Sequence, residues 1–528
     1  MKEKKKLYYS LVGALFLLAV AVRVWKFGAV PAGMNQDGAM AAVDAFALSQ
    51  YGTDRFGMWL PAHFTAWGYG QMSVLLSYLM VPFIKLFGLS VVTARLPMLL
   101  VSLLAIFAIW RLTENALGKV YGILTLLFVA INPWQIMQSR WALDCNLLPH
   151  FLLFAFLFLY KGITNNKFLY LSMVFFAGAM YSYGIAWFTV PPLLVAFAVY
   201  LLWSKKAQIS DILISAGVFV TLSLPILLVM IVNFFKLPTV ETPLFTAAFF
   251  QNSVRSNDLL FFSENIGKQF LENVSTFVRV VLLQEKDLPW NAIPEFGTMY
   301  LFSLPFLIAG LLALRHFLKR GSEGEKSFSA LLLIWLLGGV FAGVVINGVN
   351  INRINLIFYP LLLLISLGVY FVATVKTDRK AVLVAVCAIY LFSFGRFTAN
   401  YFGPSAENLA YQFFDGFGDA LKAADSEESD VVYITSYVQA PGRVQVSEIL
   451  TEFHLKLPAG YLRGIEGLTR DGEALGPYNE RYRYIDLRAA APEEFPEGIF
   501  VVNAQEISLF SDAYEVERFR YFAVVRPK

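Results

Sequence analysis

Long apolar runs recur along the first four hundred residues of this chain and then cease. With a rise of 1.5 Å per residue, a helix of about 20 apolar residues crosses a hydrocarbon core of about 30 Å. Eleven runs approach that length: Leu7–Val24, Leu96–Trp110, Val120–Trp134, Leu147–Tyr160, Phe168–Tyr183, Thr189–Trp203, Ile209–Phe235, Thr298–Leu314, Phe328–Ile346, Ile354–Val375 and Ala381–Phe397. A further stretch, "QMSVLLSYLMVPFIKLFG" (71–88), is barely long enough and is interrupted by Pro82 and Lys85.

Charge decides how that stretch is placed. Cytoplasmic loops carry an excess of Lys and Arg. If 71–88 does not cross, one face collects Lys2, Lys4, Lys5 and Lys6, Arg111 with Lys119, Lys161 with Lys167, and Lys205 with Lys206. The same face takes Arg315, Lys319, Arg320 and Lys326, then Lys376, Arg379 and Lys380. Opposite loops such as "YSYGIAWF" and "INGVN" are nearly free of cations. The stretch 71–88 is therefore expected as an amphipathic helix flat on the outer interface. Arg23 and Lys26 run against the trend but are outweighed by the four lysines that precede the first span.

This places three segments outside the cytosol. The first loop, about 25–94, contains a helix from Asp37 to Tyr51. The second, 237–297, reads as a long polar loop. The third is the tail, 401–528, long enough for its own core. Within the tail, "AENLAYQFFDGFGDALKAAD" reads as one amphipathic helix. "DVVYIT", "YRYIDL" and "GIFVVN" read as strands, "VSEILTEFHLKL" as a helix between the first two, and "RFRYFAVVRP" closes the chain. The expected architecture is a polytopic α-helical membrane protein of about eleven spans (1–400) carrying a small extracytoplasmic α/β domain (401–528).

Composition agrees. The chain is 58% hydrophobic and only 15% charged, where a soluble domain carries about 25% charged residues. Two cysteines, Cys145 and Cys387, provide no disulfide framework and no zinc spacing. The N-terminus has the charge layout of a signal peptide but lacks a small-residue cleavage site, and reads as a retained first span. No Walker A lysine loop, GxGxxG or HExxH occurs, which argues against an ATP-driven pump and a nucleotide-dependent enzyme. No nucleotide cofactor and no nucleic-acid partner are expected.

Polar residues gather instead at the outer ends of spans. Asp37 follows the first span, and Asp144 the third, with Arg140 four residues before it. Arg353 opens the tenth, and Lys268 and Arg279 lie in the large loop. Carboxylates beside cations at a bilayer surface suit chemistry on a lipid phosphate: cations hold the phosphate, and a carboxylate takes a proton from an incoming hydroxyl. Each residue has a plainer reading. Asp37 suits a helix N-cap. Asp44, two turns on and roughly on the same face, suits a structural or solvated acid. Asp144 suits a pair with Arg140, and Arg353 an interfacial anchor. His63 suits a ligand, a base or neither. Trp290 and Asn291 suit a sugar site, since aromatic faces pack on sugar rings.

The layout of residues 5–400 resembles the GT-C membrane glycosyltransferases, in the branch of protein O-mannosyltransferases and 4-amino-4-deoxy-arabinose transferases. The resemblance rests on "NQDGAMAAVDAFALSQYGTD" in the first outer loop, on the flat "QMSVLLSYLMVPFIKLFGLS", on "ARLPMLLVSLLAIFAIWRL", and on "LLFVAINPWQIMQSRWALDCNLLPHFLLF" with its Asp-bearing turn. It implies that Asp37 is the catalytic base, that Asp144 shapes the same site, and that Arg353 contacts a lipid phosphate. Gly38 follows Asp37 where the family usually has Glu, and the Lys-Pro-Pro or His-Pro-Pro before the interfacial helix is replaced by "AWGYGQMS". The metal requirement, which could be a divalent ion, and the acceptor stay open at this point.

Nucleotide sugars are held inside cells, so an outward site implies a polyprenyl-phosphate sugar donor. The implied reaction is one inverting displacement onto a protein, lipid or glycan acceptor, with Arg353 and Arg140 or Lys268 stabilising the departing phosphate. The competing readings are a lipid or glycolipid flippase or exporter, which needs a polar path through the bundle, and a non-catalytic envelope scaffold. Compact loops without eukaryotic targeting signals point to a bacterial plasma membrane, with the N-terminus cytoplasmic.

Overall fold

The computed structural model describes residues 2–67, 70–251, 258–285, 287–375, 378–427, 431–438, 443–463, 469–470, 473–474, 477–495 and 498–528. Among these, nine helices are long and apolar enough to cross a membrane. Two further expected spans are shorter helices, Lys119–Ala130 and Asn166–Met180. The first is cut short because Asn132 caps a new helix at Pro133, its side chain accepting from Gln135 N; proline has no N–H to continue the earlier one.

The chain divides into two compact units. One comprises residues 1–27, 98–228 and 253–403; the other comprises 28–97, 229–252 and 404–528.

The first unit is helical. Its close packing is clearest where Leu304–Arg320 lies along Phe358–Val375. A Cβ on Gly310 would strike the Leu364 carbonyl, and one on Gly368 the Phe306 carbonyl. Small residues at such crossings let backbones approach where lipid supplies no hydrophobic drive. Arg23, an exception to the charge pattern, is fully buried. Its guanidinium donates to Gln135 Oε1 and to the carbonyls of Ala19, Val129 and Ala130, so it holds helices together rather than standing in a loop. The stretch expected as a polar loop contains a helix, Ile266–Val281, whose Asn273 donates to Val344 O at 2.9 Å. Phe277, Val280 and Val281 lie on its buried side, together with Asn273.

The second unit joins the first outer loop to the tail. The helix Leu75–Phe87 buries Leu76, Met80 and Ile84, one face at intervals of four, while Leu86 and Phe87 stay exposed. It packs on the helix Gln36–Tyr51. Phe64–Thr65 and Gln71–Met72 form a short antiparallel hairpin.

The tail forms a five-stranded sheet in the order Tyr514–Phe519, Phe522–Pro527, Ile499–Asn503, Val432–Thr435, Tyr482–Ile485. The last three strands are mutually parallel and the first two form an antiparallel hairpin. Val432–Thr435 and Ile499–Asn503 are buried throughout, as expected of central strands covered on both faces. Tyr433, Phe500, Val502, Ala523 and Val525 form the core of one face. The helix Phe417–Asp425 packs against the sheet, and Val444–His454 packs beside it. The single helix expected over 406–425 is two, Pro404–Gln412 and Phe417–Asp425, because Phe414 and Gly416 adopt positive φ between them.

Candidate active site

Asp37 lies in the first turn of Gln36–Tyr51, half-buried. The cap is Asn35, whose side chain accepts from Gly38 N at 3.1 Å, so the capping role suggested for Asp37 is filled by its neighbour. Trp67, at the turn of the 64–72 hairpin, donates from Nε1 to Asp37 Oδ1 at 2.6 Å. The chain leading to Asp37 is pinned by Arg95, a fully buried residue. Its Nη1 donates to Pro31 O at 2.7 Å and Gly28 O at 3.3 Å, and its Nη2 to Gly33 O at 2.7 Å. Gly33 has φ +78°, and a Cβ there would collide with the Phe413 carbonyl. A positively charged fork thus sets the backbone that presents the carboxylate.

Asp44 is buried and accepts from Arg55 Nη1 at 2.5 Å and from Arg55 N at 3.1 Å. It is a structural acid rather than a solvated one. Arg55 Nη2 donates onward to Thr65 O at 3.0 Å, tying the helix to the hairpin that carries Trp67. Burial pushes the Asp44 carboxyl up to about 7, against the opposing pull of Arg55. His63 is buried with its ring edge-on to Phe250, centroids 5.9 Å apart.

The tail contributes residues that sequence reasoning missed. The helix Val444–His454 packs on Gln36–Tyr51 and brings Glu448 and Glu452 toward Arg55. Burial pushes Glu452 up to about 8, with Arg55 opposing and Glu448 and Asp44 reinforcing the shift. Burial likewise raises Glu448. Two acids four residues apart among apolar neighbours, in "VSEILTEFH", were the available signal.

In the helical unit, Asp144 opens a 3₁₀ turn, Asp144–Asn146, and accepts from Cys145 N at 2.7 Å. That turn packs on the short helix Ile351–Ile354, which holds Arg353. Asn355 Nδ2 donates to Cys145 O at 2.6 Å. Asp287 joins the group: its Oδ2 accepts from Ile351 N at 3.0 Å and its Oδ1 from Asn291 Nδ2 at 2.8 Å, while Gln138 donates to Asn291 Oδ1 at 3.2 Å. Trp290 stands edge-on to Trp141 with centroids 6.4 Å apart. The turns holding Asp144, Asn291 and Arg353 are therefore knitted into one polar cluster, with Asp287 the residue the sequence did not single out.

Arg353 donates to the Asn347 carbonyl and, at 3.2 Å, to Asp258 Oδ2. Arg140 is fully buried and its guanidinium meets the carbonyls of Val22, Arg23, Trp25 and Lys26 at 2.6–3.1 Å. A cation is favourable at the carbonyl end of a helix, and Arg140 closes the helix Lys2–Val24 in this way. Lys268 is exposed on the amphipathic helix Ile266–Val281. Among the described residues, no group of three or more His, Cys, Asp and Glu side chains is placed to hold a metal.

Residues 71–232 match the family model described as dolichyl-phosphate-mannose-protein mannosyltransferase. No protein of curated function matches the sequence. Two solved proteins are similar in fold. ArnT from Cupriavidus metallidurans, bound to undecaprenyl phosphate, is 14% identical with a TM-score of 0.57, over 97% of each chain. The archaeal oligosaccharyltransferase AglB from Archaeoglobus fulgidus, in complex with an inhibitory peptide and a dolichol-phosphate, is 16% identical with a TM-score of 0.52 over 84% of this chain. The present chain spans 64% of that larger protein. The chain shares its fold with these two proteins.

Proposed function

We propose that this chain is a glycosyltransferase that moves a sugar from a polyprenyl-phosphate carrier to an acceptor hydroxyl on the extracytoplasmic face of the membrane, with inversion and with Asp37 as base. The observation that carries the reading is the Asp37 carboxylate. Asn35 relieves it of capping, it keeps partial solvent access, and one oxygen is fixed by the Trp67 indole. A base must be held in a fixed place, and the indole bond supplies that. Fold likeness to a protein bound to undecaprenyl phosphate supports a polyprenyl-phosphate donor, and the family model over residues 71–232 supports a sugar carried on such a lipid.

The chemistry needs few groups. The leaving lipid phosphate monoester has a second pKa of about 6, so it departs without a general acid. Asp37 removes the acceptor proton as the oxygen attacks the anomeric carbon from the face opposite the phosphate. Arg353 is assigned to the phosphate, its bond to the half-buried Asp258 being exchangeable for a stronger anion. Asp144 keeps the turn beside Arg353 in place through its bond to Cys145 N.

The test is the substitution Asp37→Asn in the purified chain, assayed by transfer of labelled sugar from a polyprenyl-phosphate donor. A positioned base contributes about 10²–10⁴ in rate, so transfer should fall at least about a hundredfold while thermal unfolding stays unchanged. Full activity in this variant would remove Asp37 from the mechanism.

A further inference from the structure

Within the unit that holds Asp37 lies a cavity of about 320 Å³ lined by Arg55, Trp67, Glu448, Glu452, Arg463 and Tyr478, among others. Trp67 is also the residue that fixes Asp37. Glu452 is only 4% exposed, and its Oε2 has no hydrogen-bond partner among the described residues. Nearly all buried polar atoms are paired, and leaving an acceptor unpaired is costly. A buried carboxyl oxygen on a cavity wall with nothing to bind marks a place where a ligand supplies the donor.

We propose that this cavity is the acceptor subsite and that it takes a carbohydrate, a single hydroxyl-rich sugar ring, rather than a polypeptide. The proposal rests on the reading of Asp37 as base. Its size is at the lower end of ligand cavities, about 300–1,000 Å³, which suits one ring and not an extended chain. Its walls mix two carboxyls and two guanidinium groups with the faces of Trp67 and Tyr478. Vicinal hydroxyls donate to carboxyl oxygens and accept from guanidinium N–H groups, and the C–H face of a ring packs on an aromatic face. A serine or threonine side chain offers one hydroxyl and would leave most of these groups unanswered. Burial raises Glu452 to about 8 in the company of Arg55, Glu448 and Asp44, so at neutral pH its carboxyl is also a donor. That doubles the hydroxyl patterns it accommodates.

The experiment is saturation-transfer NMR on the full chain in detergent without donor. The probes are the methyl glycosides of glucose, galactose, mannose, glucosamine and N-acetylglucosamine, and a serine-containing heptapeptide. At least one glycoside should show transfer to its ring protons, with the peptide silent. Glu452→Gln should weaken that binding about tenfold, as loss of a hydrogen bond to a charged or strongly polar group does. Gln445→Trp, an exposed lining position that leaves Glu452 intact, should abolish it by filling the cavity. Binding unaffected by either variant, binding of the peptide alone, or no binding of any glycoside overturns the proposal. Asp37→Asn should keep glycoside binding while losing transfer. Retained transfer in that variant would sink the catalytic reading and leave the binding result to be judged by itself.

Discussion

Trp67 Nε1 and Asp37 Oδ1 stand 2.6 Å apart, a hydrogen bond across thirty residues of sequence between a hairpin turn and a helix's first turn. An indole donor orients a carboxylate without neutralising it, as a lysine or arginine would. The carboxylate loses its freedom to rotate.

Trp67→Phe deletes that donor and keeps an aromatic wall. Transfer should fall about tenfold, the equivalent of part of the ~1.5–3 kcal/mol of a hydrogen bond to a charged group. The loss should lie in kcat, with acceptor KM little changed, in steady-state assays at saturating donor.

Arg95→Met would strip donors from the carbonyls of Pro31 and Gly33. Unpaired buried acceptors cost about 1–3 kcal/mol each, so the melting temperature should drop clearly and transfer should fall with it. Arg95→Lys, a point charge without the fork, should recover only part of either. Differential scanning fluorimetry in detergent, alongside turnover, measures both.

Asp44→Asn should destabilise the protein by about 3–5 kcal/mol, because it leaves the buried Arg55 charge unpaired. The double variant Asp44→Leu with Arg55→Met removes both charges and should be more stable than either single variant. A double-mutant cycle by chemical unfolding reads the coupling.

The pH dependence follows from Glu452. Its folded-state pKa, about 8, lies above the ordinary 4.5. Between those values the unfolded chain has released the proton and the folded chain has not. The group's contribution is therefore most favourable at low pH and is lost as pH rises from about 4.5 toward 8. The ceiling on that loss is about 5 kcal/mol at 1.36 kcal/mol per unit. Asp44, raised to about 7 in the folded state, adds a slope of the same sign. Melting temperatures of the native chain should fall across this window, and Glu452→Gln should flatten the slope.

Much of the helical body was legible in the sequence because lipid imposes one rule, a long apolar run, on every span. The Asp37–Tyr51 helix was legible to within a residue at its start, although the cap is Asn35 and not Asp37. Other features depended on groups distant in sequence. Glu452 is an ordinary helical acid until Val444–His454 is laid against Gln36–Tyr51, and its character comes from burial there. Arg95 stood out as part of a motif, but its partners are backbone carbonyls, which no residue type advertises. Arg23 appeared as a misplaced loop charge because a count of cations does not distinguish a solvated guanidinium from one sealed among carbonyls. The division of the large loop into Ile266–Val281 and its flanks was written in its spacing and was obscured by its overall polarity.

The contact between Gln36–Tyr51 and Val444–His454 also constrains biogenesis. The helix bearing Asp37 leaves the ribosome well before the helix that packs on it. Throughout insertion of the intervening spans, Asp44 and Arg55 wait without their final surroundings. A nascent chain stopped short of the tail would lack the helix that packs on Gln36–Tyr51. The wall that carries Glu448 and Glu452 therefore forms only once the tail has been made.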